Sequence, residues 1–167
     1  PMMELTEQRL TAVRRQQGLA SLPTFIDGRS PLKIPARTKC TVLLDQGFLT
    51  TAYPELKVSG GKGSKIKLTY SEALFDERGK GNRNEIDGRE CRGFADEFLP
   101  DGADGRLFRP LWFKTYRYIQ LDIETGAAPL VVEDLYGIYT GYPFEVRGSF
   151  ESDDPALEKI WETGWRT

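Results

Sequence analysis

The 167-residue sequence contains no histidine. That absence excludes Ser-His-Asp and Cys-His catalysis and the usual imidazole metal ligands, so any acid or base chemistry would depend on carboxylates, lysine or tyrosine. Cysteine is scarce too, because Cys40 and Cys91 are too few for a zinc site or a disulfide-dense scaffold. Cys40 shares a strand face with Val42 and Leu44, which predicts a small buried side chain. A Cys40–Cys91 disulfide remains the alternative.

Long apolar runs and an excess of one charge are also missing. No segment approaches the roughly 20 apolar residues of a membrane-spanning helix, so we expect no membrane association. The chain has 23 basic and 25 acidic residues and a net charge of -2. Because the basic residues are spread along the chain rather than grouped in a stripe, we expect no nucleic-acid partner.

The acidic and glycine-rich segments do not require a catalytic, metal or cofactor site. The pair Asp153-Asp154 precedes a helical pattern, so helix capping explains it better than acid and base catalysis. The loop 101–105 could hold calcium, but it lacks EF-hand spacing and favours an ordinary acidic turn. Residues 60–65 are followed by an alternating strand, whereas a Walker phosphate loop would open a helix. We therefore expect no catalytic residue, metal ligand or cofactor in this chain.

Alternating hydrophobicity predicts an all-β structure. The most informative stretch, Phe108–Glu124, begins with crowded aromatics and continues with Ile119, Leu121 and Ile123 alternating with polar residues, as in a strand with one wet face. The same pattern predicts further strands at 38–45, 66–70 and 130–138, and an extended run at 48–58 in which Pro54 suits an edge or a bulge. The predicted fold class is an antiparallel jelly-roll β-sandwich, similar to galactose-binding-like modules, with the start of a C-terminal α-helix.

Three regions are predicted along the chain. Residues 1–36 form an N-terminal strand at Arg9–Arg15 and a covering loop at Leu22–Pro35. Residues 37–151 form the sandwich, and residues 75–105 within it are a long polar excursion with one short strand near 91–94. Residues 152–167 form the first turns of a helix, which we expect to lead into a following helical domain.

That helix is amphipathic and carries two tryptophans, Trp161 and Trp165, on its apolar face. Each ring is worth roughly 2 to 3 kcal/mol when buried, and the sandwich itself offers no obvious groove for them. We therefore predict that Trp161 and Trp165 lie at a domain interface.

Four motifs carry a family resemblance. Gly-Ser-Lys-Ile-Lys-Leu-Thr-Tyr-Ser-Glu-Ala-Leu is followed by Gly-Asn-Arg-Asn, then by Tyr-Arg-Tyr-Ile-Gln-Leu, and finally by Ser-Phe-Glu-Ser-Asp-Asp-Pro-Ala-Leu-Glu-Lys-Ile-Trp; they occupy residues 63–74, 81–84, 116–121 and 149–161. From about Pro35 onward the sequence resembles the β-sandwich domain that precedes the catalytic barrel of bacterial α-L-rhamnosidases.

The resemblance implies a parent protein that cleaves terminal α-L-rhamnose with inversion, using carboxylates of a helical barrel outside this chain. It further implies that the partners of this domain are the rest of the same polypeptide and a rhamnose-containing carbohydrate. The expected location is periplasmic or extracellular. The domain itself would be structural, or would support the substrate cleft, without catalytic residues of its own.

Four residues are candidates for specific roles. Trp112, Tyr116 and Tyr53 could stack on sugar rings if they are exposed, and core packing or a domain interface is the competing interpretation. Arg117 is predicted on the same strand face as Ile119, where a buried guanidinium needs a carboxylate or carbonyl partner. We expect a structural ion pair there, with sugar binding as the alternative.

Two other functions compete with a domain of a rhamnosidase-like hydrolase. A free-standing carbohydrate-binding module would need exposed Trp112 and Tyr116. A small lyase or hydrolase that uses carboxylates alone would need two acidic side chains converging in one pocket with a perturbed pKa.

Overall fold

The computed structural model describes residues 2–20 and 23–166, and it is an antiparallel β-sandwich followed by one helix. The predicted all-β sandwich with a C-terminal helix is confirmed. The strands are β1 (Glu4–Arg9), β2 (Ala12–Gln17), β3 (Leu32–Ile34), β4 (Lys39–Gly60), β5 (Lys65–Ser71), β6 (Phe75–Asp76), β7 (Gly79–Lys80), β8 (Ala95–Phe98), β9 (Arg106–Phe108), β10 (Lys114–Glu124) and β11 (Leu130–Gly141). A 3-10 turn covers Phe25–Asp27, and helix α1 covers Pro155–Arg166.

The long strand β4 belongs to both layers of the sandwich. Its first half pairs with β2 and β10, and β5 and β8 continue that layer beyond β10. Its second half pairs with β11 and β9, and β1 and β3 pair with the other edge of β11. Because one strand bridges the layers, its alternating side chains contribute to the core along most of its length.

The two runs predicted at 38–45 and 48–58 form this single strand, so their assignment to separate strands was wrong. The predicted boundary nevertheless coincides with a break in the β4–β10 ladder, where Gln46–Leu49 have no partner in β10. Pro54 pairs with Gly137 on the β11 side. On the opposite side it lies between the segments paired with β10 and β9, where a missing amide donor is tolerated.

The core between the layers contains the predicted apolar face of β10. Ile119, Leu121 and Ile123 are buried there together with Val42 and Leu44 of β4. A second, smaller cluster of Leu43, Leu74 and Tyr118 lies on the outer face of the same layer, and Ile86 and Cys91 of the 72–94 segment pack against it. This segment covers the outer face, so Gln120 and Asp122 are half-buried rather than fully exposed as predicted.

The two cysteines lie on opposite faces of this layer. Cys40 is in the main core and Cys91 packs on the outer cluster, and both thiols are free. The alternative of a Cys40–Cys91 disulfide was therefore wrong. Burial raises the pKa of Cys40 to about 11 and that of Cys91 to about 12, with a smaller contribution from the Asp122 carboxylate in both cases.

A bulge in β10 changes the predicted position of Arg117. The ladder to β4 breaks between Tyr116 and Tyr118, so Tyr116 and Ile119, three residues apart, both enter the main core. Arg117 therefore lies on the outer face beside Tyr118, and its predicted placement on the face of Ile119 was wrong. The alternation of a strand is interrupted wherever an extra residue is inserted into the ladder.

The regions outside the central strands differ from the predictions in detail. The single strand predicted at Arg9–Arg15 is two strands, β1 and β2, which pair with different layers. The described part of the predicted covering loop contains the 3-10 turn and β3, whereas Leu22 lies outside the described residues. The short strand predicted near 91–94 is replaced by β8, at Ala95–Phe98, and by the small β6–β7 hairpin.

Helix α1 begins as predicted at Pro155, and the Asp154 carboxylate accepts a hydrogen bond from the Ala156 amide at 2.9 Å. Its large apolar side chains remain exposed: Leu157, Ile160, Trp161 and Trp165. Within the described ranges, no helix has the length and apolar character needed to cross a membrane.

Candidate functional site

A groove with exposed aromatic walls lies beside the start of β10. It has a volume of about 290 Å³ and is lined by Tyr70, Glu72, Phe94, Trp112, Phe113, Lys114 and Thr115. Phe94 is 86% exposed, Trp112 65% and Phe113 46%. Large aromatic side chains this exposed are unusual next to a well-formed core, so the groove is the first candidate for a ligand site.

The loop that carries Trp112 is fastened to the second layer of the sandwich. The Arg109 guanidinium forms an ion pair with the buried Glu55 carboxylate, and the Tyr136 hydroxyl donates to the other oxygen of Glu55 at 2.6 Å. Phe113 packs edge-on against Tyr53, with 6.2 Å between the ring centroids. These contacts hold the loop in place while leaving Trp112 in contact with solvent.

Lys114 connects the groove to the interior. Only 7% exposed, it places its Nζ 3.2 Å from Oδ2 of Asp96 and 4.4 Å from the ring centroid of Trp112. A cation over an indole face is attracted by the ring quadrupole, so the ammonium fixes the orientation of Trp112. The same Nζ lies 5.5 Å from the ring centroid of Tyr70. Burial, followed by the Asp96 carboxylate, raises the pKa of Tyr70, so this residue remains a neutral phenol.

The acidic residues at the groove are neutralised by lysines. Asp96 is paired with Lys114, and Glu72 forms an ion pair with Lys80. Hydrolysis by two carboxylates would need one acid and one base that are free to act on a substrate. The geometry therefore suits binding through ring stacking and hydrogen bonds rather than acid and base chemistry.

Arg117 lies apart from this groove, in a buried ion-pair network. Its Nε is 3.1 Å from Oδ1 of Asp45, and its Nη1 donates to Oδ1 of Asn84 at 2.6 Å. Arg14 approaches the other oxygen of Asp45 at 3.5 Å. Asn84 belongs to the Gly-Asn-Arg-Asn motif, so Arg117 fastens that loop to the sheet. The ring of Tyr118 lies 5.3 Å from the guanidinium.

The structure separates the three aromatic residues proposed for sugar stacking. Tyr116 has no exposed surface, since the bulge directs it into the core, and it cannot stack on a ligand. Tyr53 is half-buried and contacts Phe113, and of the three Trp112 alone lines the groove. Phe94, Asp96 and Lys114 were not predicted. Lys114 shares a strand face with Tyr116, and that face is turned inward only by the bulge, so its position could not be found from the alternation. Phe94 and Asp96 come from a segment that is distant in the chain.

The two helix tryptophans contact the segment that leads into the helix. Trp161 stacks on Phe150 with 5.7 Å between centroids, and Trp165 meets Phe144 edge-on at 6.3 Å. Trp161 nevertheless remains 45% exposed and Trp165 52% exposed.

The acidic loop considered for calcium is held by its own contacts. The Asp101 carboxylate accepts from the Arg106 guanidinium and from the Ala103 amide, and these hydrogen bonds lower the pKa of Asp101 to about 2. No group of three potential metal-ligating side chains occurs in residues 2–20 and 23–166.

The sequence profile of the bacterial alpha-L-rhamnosidase concanavalin-like domain matches residues 36–138. The chain belongs to this family. No curated protein is significantly similar to the chain.

Solved structures share the fold. A rhamnosidase from Klebsiella oxytoca with rhamnose bound aligns with a TM-score of 0.65 and 13% identity over 96% of the chain and 34% of its own length. A GH78 family rhamnosidase of Bacillus sp. GL1 aligns with a TM-score of 0.58 and 18% identity over 85% of the chain and 15% of its own length. The α-L-rhamnosidase from Aspergillus terreus aligns with a TM-score of 0.56 and 22% identity over 94% of the chain and 15% of its own length. The chain thus spans between about one seventh and one third of these proteins.

Proposed function

We propose that this chain is the non-catalytic β-sandwich domain of a larger glycoside hydrolase that cleaves terminal α-L-rhamnose. Membership of the rhamnosidase domain family supports the proposal, and so does the small share of each similar rhamnosidase that the chain spans. As the family resemblance implies, the catalytic carboxylates belong to a helical barrel elsewhere in that polypeptide. The pairing of the acidic residues at the groove with lysines agrees with a non-catalytic role for this domain.

The observation that carries this proposal is the exposed aromatic face of α1. Trp161 and Trp165 are held in place by Phe150 and Phe144 but keep about half of their surface in water. An exposed apolar face of this kind is suited to docking against another domain. The helical barrel is its partner, and the sandwich fixes the position of that barrel.

The test uses the complete polypeptide that contains this chain. Replacing Trp161 and Trp165 by alanine removes on the order of 1 to 2 kcal/mol of docking energy per ring, because about half of each ring remains to be buried. The melting temperature and the hydrolysis of 4-nitrophenyl α-L-rhamnopyranoside should both fall. Leu99→Ala, at a residue that is 68% exposed, is the matched control and should change neither.

Two results would overturn the proposal. Unchanged melting and activity in the Trp161→Ala/Trp165→Ala variant would show that α1 does not dock on the catalytic domain. Hydrolysis of the rhamnoside by the 167-residue chain alone would show that the sandwich is itself an enzyme.

A free-standing carbohydrate-binding module is the second candidate function, and the exposed ring of Trp112 in its groove favours it. The same ring, with Tyr53 behind Phe113, would form part of a wall of the substrate cleft in the larger hydrolase.

Export to the periplasm or the medium is also proposed from the family resemblance. Cell fractionation with an antibody against the sandwich tests it, and signal confined to the cytoplasm would contradict it.

A further inference from the structure

The groove combines an open aromatic face with hydrogen-bonding groups of the kind that recognise a sugar. One face of Trp112 is held by the Lys114 ammonium, and the residue is still 65% exposed, so the other face is open to a ligand. Phe94, 86% exposed, lines the same groove. The C–H face of a pyranose ring packs on such aromatic surfaces without losing hydration of its hydroxyls.

The polar groups of the groove are suited to an uncharged ligand. Lys114 has three N–H donors, and its contact with Asp96 leaves donors for a hydroxyl group. Thr115, which carries a hydroxyl group, and Glu72, which carries a carboxylate, line the same groove. Because Lys114 and Glu72 both have partners of opposite charge, the groove holds no uncompensated charge for a phosphate or a uronic acid.

The size of the groove corresponds to a single sugar unit. Its volume of about 290 Å³ is at the lower end of the roughly 300 to 1,000 Å³ typical of small-molecule sites. We propose that this groove binds one neutral pyranose unit, stacked on Trp112 and flanked by Phe94, with hydrogen bonds from Lys114 and Thr115.

The walls further favour a 6-deoxyhexose. A C6 methyl group placed against Phe94 or Phe113 has no hydrogen bonds to water to lose, whereas a C6 hydroxyl packed on the same rings would lose part of its hydration. This preference rests on the proposed function, because the side of the sugar that meets the apolar wall is inferred from a rhamnose-containing ligand. The stacking of a sugar on Trp112 does not depend on the proposed function.

In the first experiment, Trp112 is made the only tryptophan of the chain, so that its fluorescence reports on the groove. The chain has three tryptophans, so the Trp161→Phe/Trp165→Phe variant reports on Trp112 alone. It is titrated with methyl α-L-rhamnopyranoside and methyl α-L-mannopyranoside, which differ only by the C6 hydroxyl. We expect a saturable change in emission with the rhamnoside, and binding of the mannoside weaker by roughly tenfold. No saturable change with either glycoside up to about 100 mM would overturn the site.

The second experiment locates the site with single substitutions, using saturation-transfer NMR so that Trp112 itself can be replaced. Trp112→Ala should abolish the transfer, and Phe94→Ala should weaken binding by roughly three- to tenfold without affecting folding, because that side chain is exposed. Phe144→Ala, also at an exposed aromatic residue, is the control and should bind normally. Transfer that survives Trp112→Ala with unchanged affinity would overturn the groove as the binding site.

These outcomes are separable from the proposed function. Equal affinity for the two glycosides would overturn the 6-deoxy preference while supporting the stacking site. Absence of binding would leave the docking of α1 to be decided by activity and melting of the complete polypeptide, which do not depend on Trp112.

Discussion

The sharpest prediction for stability concerns Arg117. Its guanidinium is 12% exposed and pairs with the Asp45 carboxylate, which is 4% exposed. In Arg117→Ala, the Asp45 carboxylate would keep two partners. It would still accept a hydrogen bond from the Gly47 amide at 2.7 Å, and the half-exposed Arg14 guanidinium would remain 3.5 Å away. The variant therefore leaves a buried carboxylate that is only partly compensated, and it releases the Asn84 loop.

Removing one partner of a buried ion pair typically costs about 3 to 5 kcal/mol. Because Arg14 and the Gly47 amide remain, we expect the lower end, about 3 kcal/mol. For a domain of this size each kcal/mol corresponds to roughly 2 to 4 °C, so the melting temperature should fall by about 6 to 12 °C.

Thermal and urea unfolding of the 167-residue chain, followed by circular dichroism, measure the effect. Arg14→Ala is the matched control, with an expected loss of about 0 to 1 kcal/mol since that pair is long and more exposed. Asp45→Asn should destabilise the native chain but stabilise Arg117→Ala, because it removes the uncompensated charge. Melting of Arg117→Ala within the error of the native chain would refute the reasoning.

Two further predictions concern the core. Gly137→Ala would place a Cβ 2.6 Å from the Tyr116 hydroxyl and 3.0 Å from the Ala52 Cβ, so it should destabilise the chain by about 1 to 3 kcal/mol in urea unfolding. Tyr116→Phe removes a buried hydroxyl that has no hydrogen-bond partner among the described atoms, so it should be near neutral alone and should relieve much of the Gly137→Ala cost. An equal cost of Gly137→Ala in both backgrounds would contradict this contact. Because their raised pKa values keep Cys40 and Cys91 protonated at pH 8, both thiols should react slowly with a thiol reagent in the native chain and rapidly in urea. Fast native modification of either thiol would contradict the burial described.

The apolar faces of the regular strands could be predicted from the sequence. In β5 and in the second half of β10, apolar residues recur with the period of the backbone, and these residues are buried in the core. The opposite face is less wet than the pattern indicates, because Thr69 and Ser71 are buried and Gln120 and Asp122 are half-buried. The start of α1 could also be predicted, because capping and proline preferences depend on residues within one turn of the helix.

The bulge at Arg117 could not be predicted in this way. It depends on Gln46–Leu49 leaving the ladder of a different strand, which is a property of the pairing and not of the local sequence. The ion pair predicted for Arg117 is nevertheless present, because a buried guanidinium needs a charged or polar partner on whichever face of the sheet it lies. Covering by the 72–94 segment is what makes the outer face a second interior.

The groove was only partly accessible to sequence reasoning. Trp112 stands out in an aromatic run, and its exposure follows from its position in the loop before β10. Phe94 and Asp96 reach it through the pairing of β8 with β5, a contact between segments distant in the chain. No periodicity encodes such a contact, so the groove becomes visible only when the sheet is assembled.

The central claim, that this sandwich is a domain of a larger rhamnoside hydrolase, is tested most directly by the intact mass of the polypeptide in the organism that makes it. The account predicts a product several times longer than 167 residues, as in the similar rhamnosidases, of which the chain spans 15% to 34%. A mature product close to 18.9 kDa would contradict the claim and favour the free-standing carbohydrate-binding module.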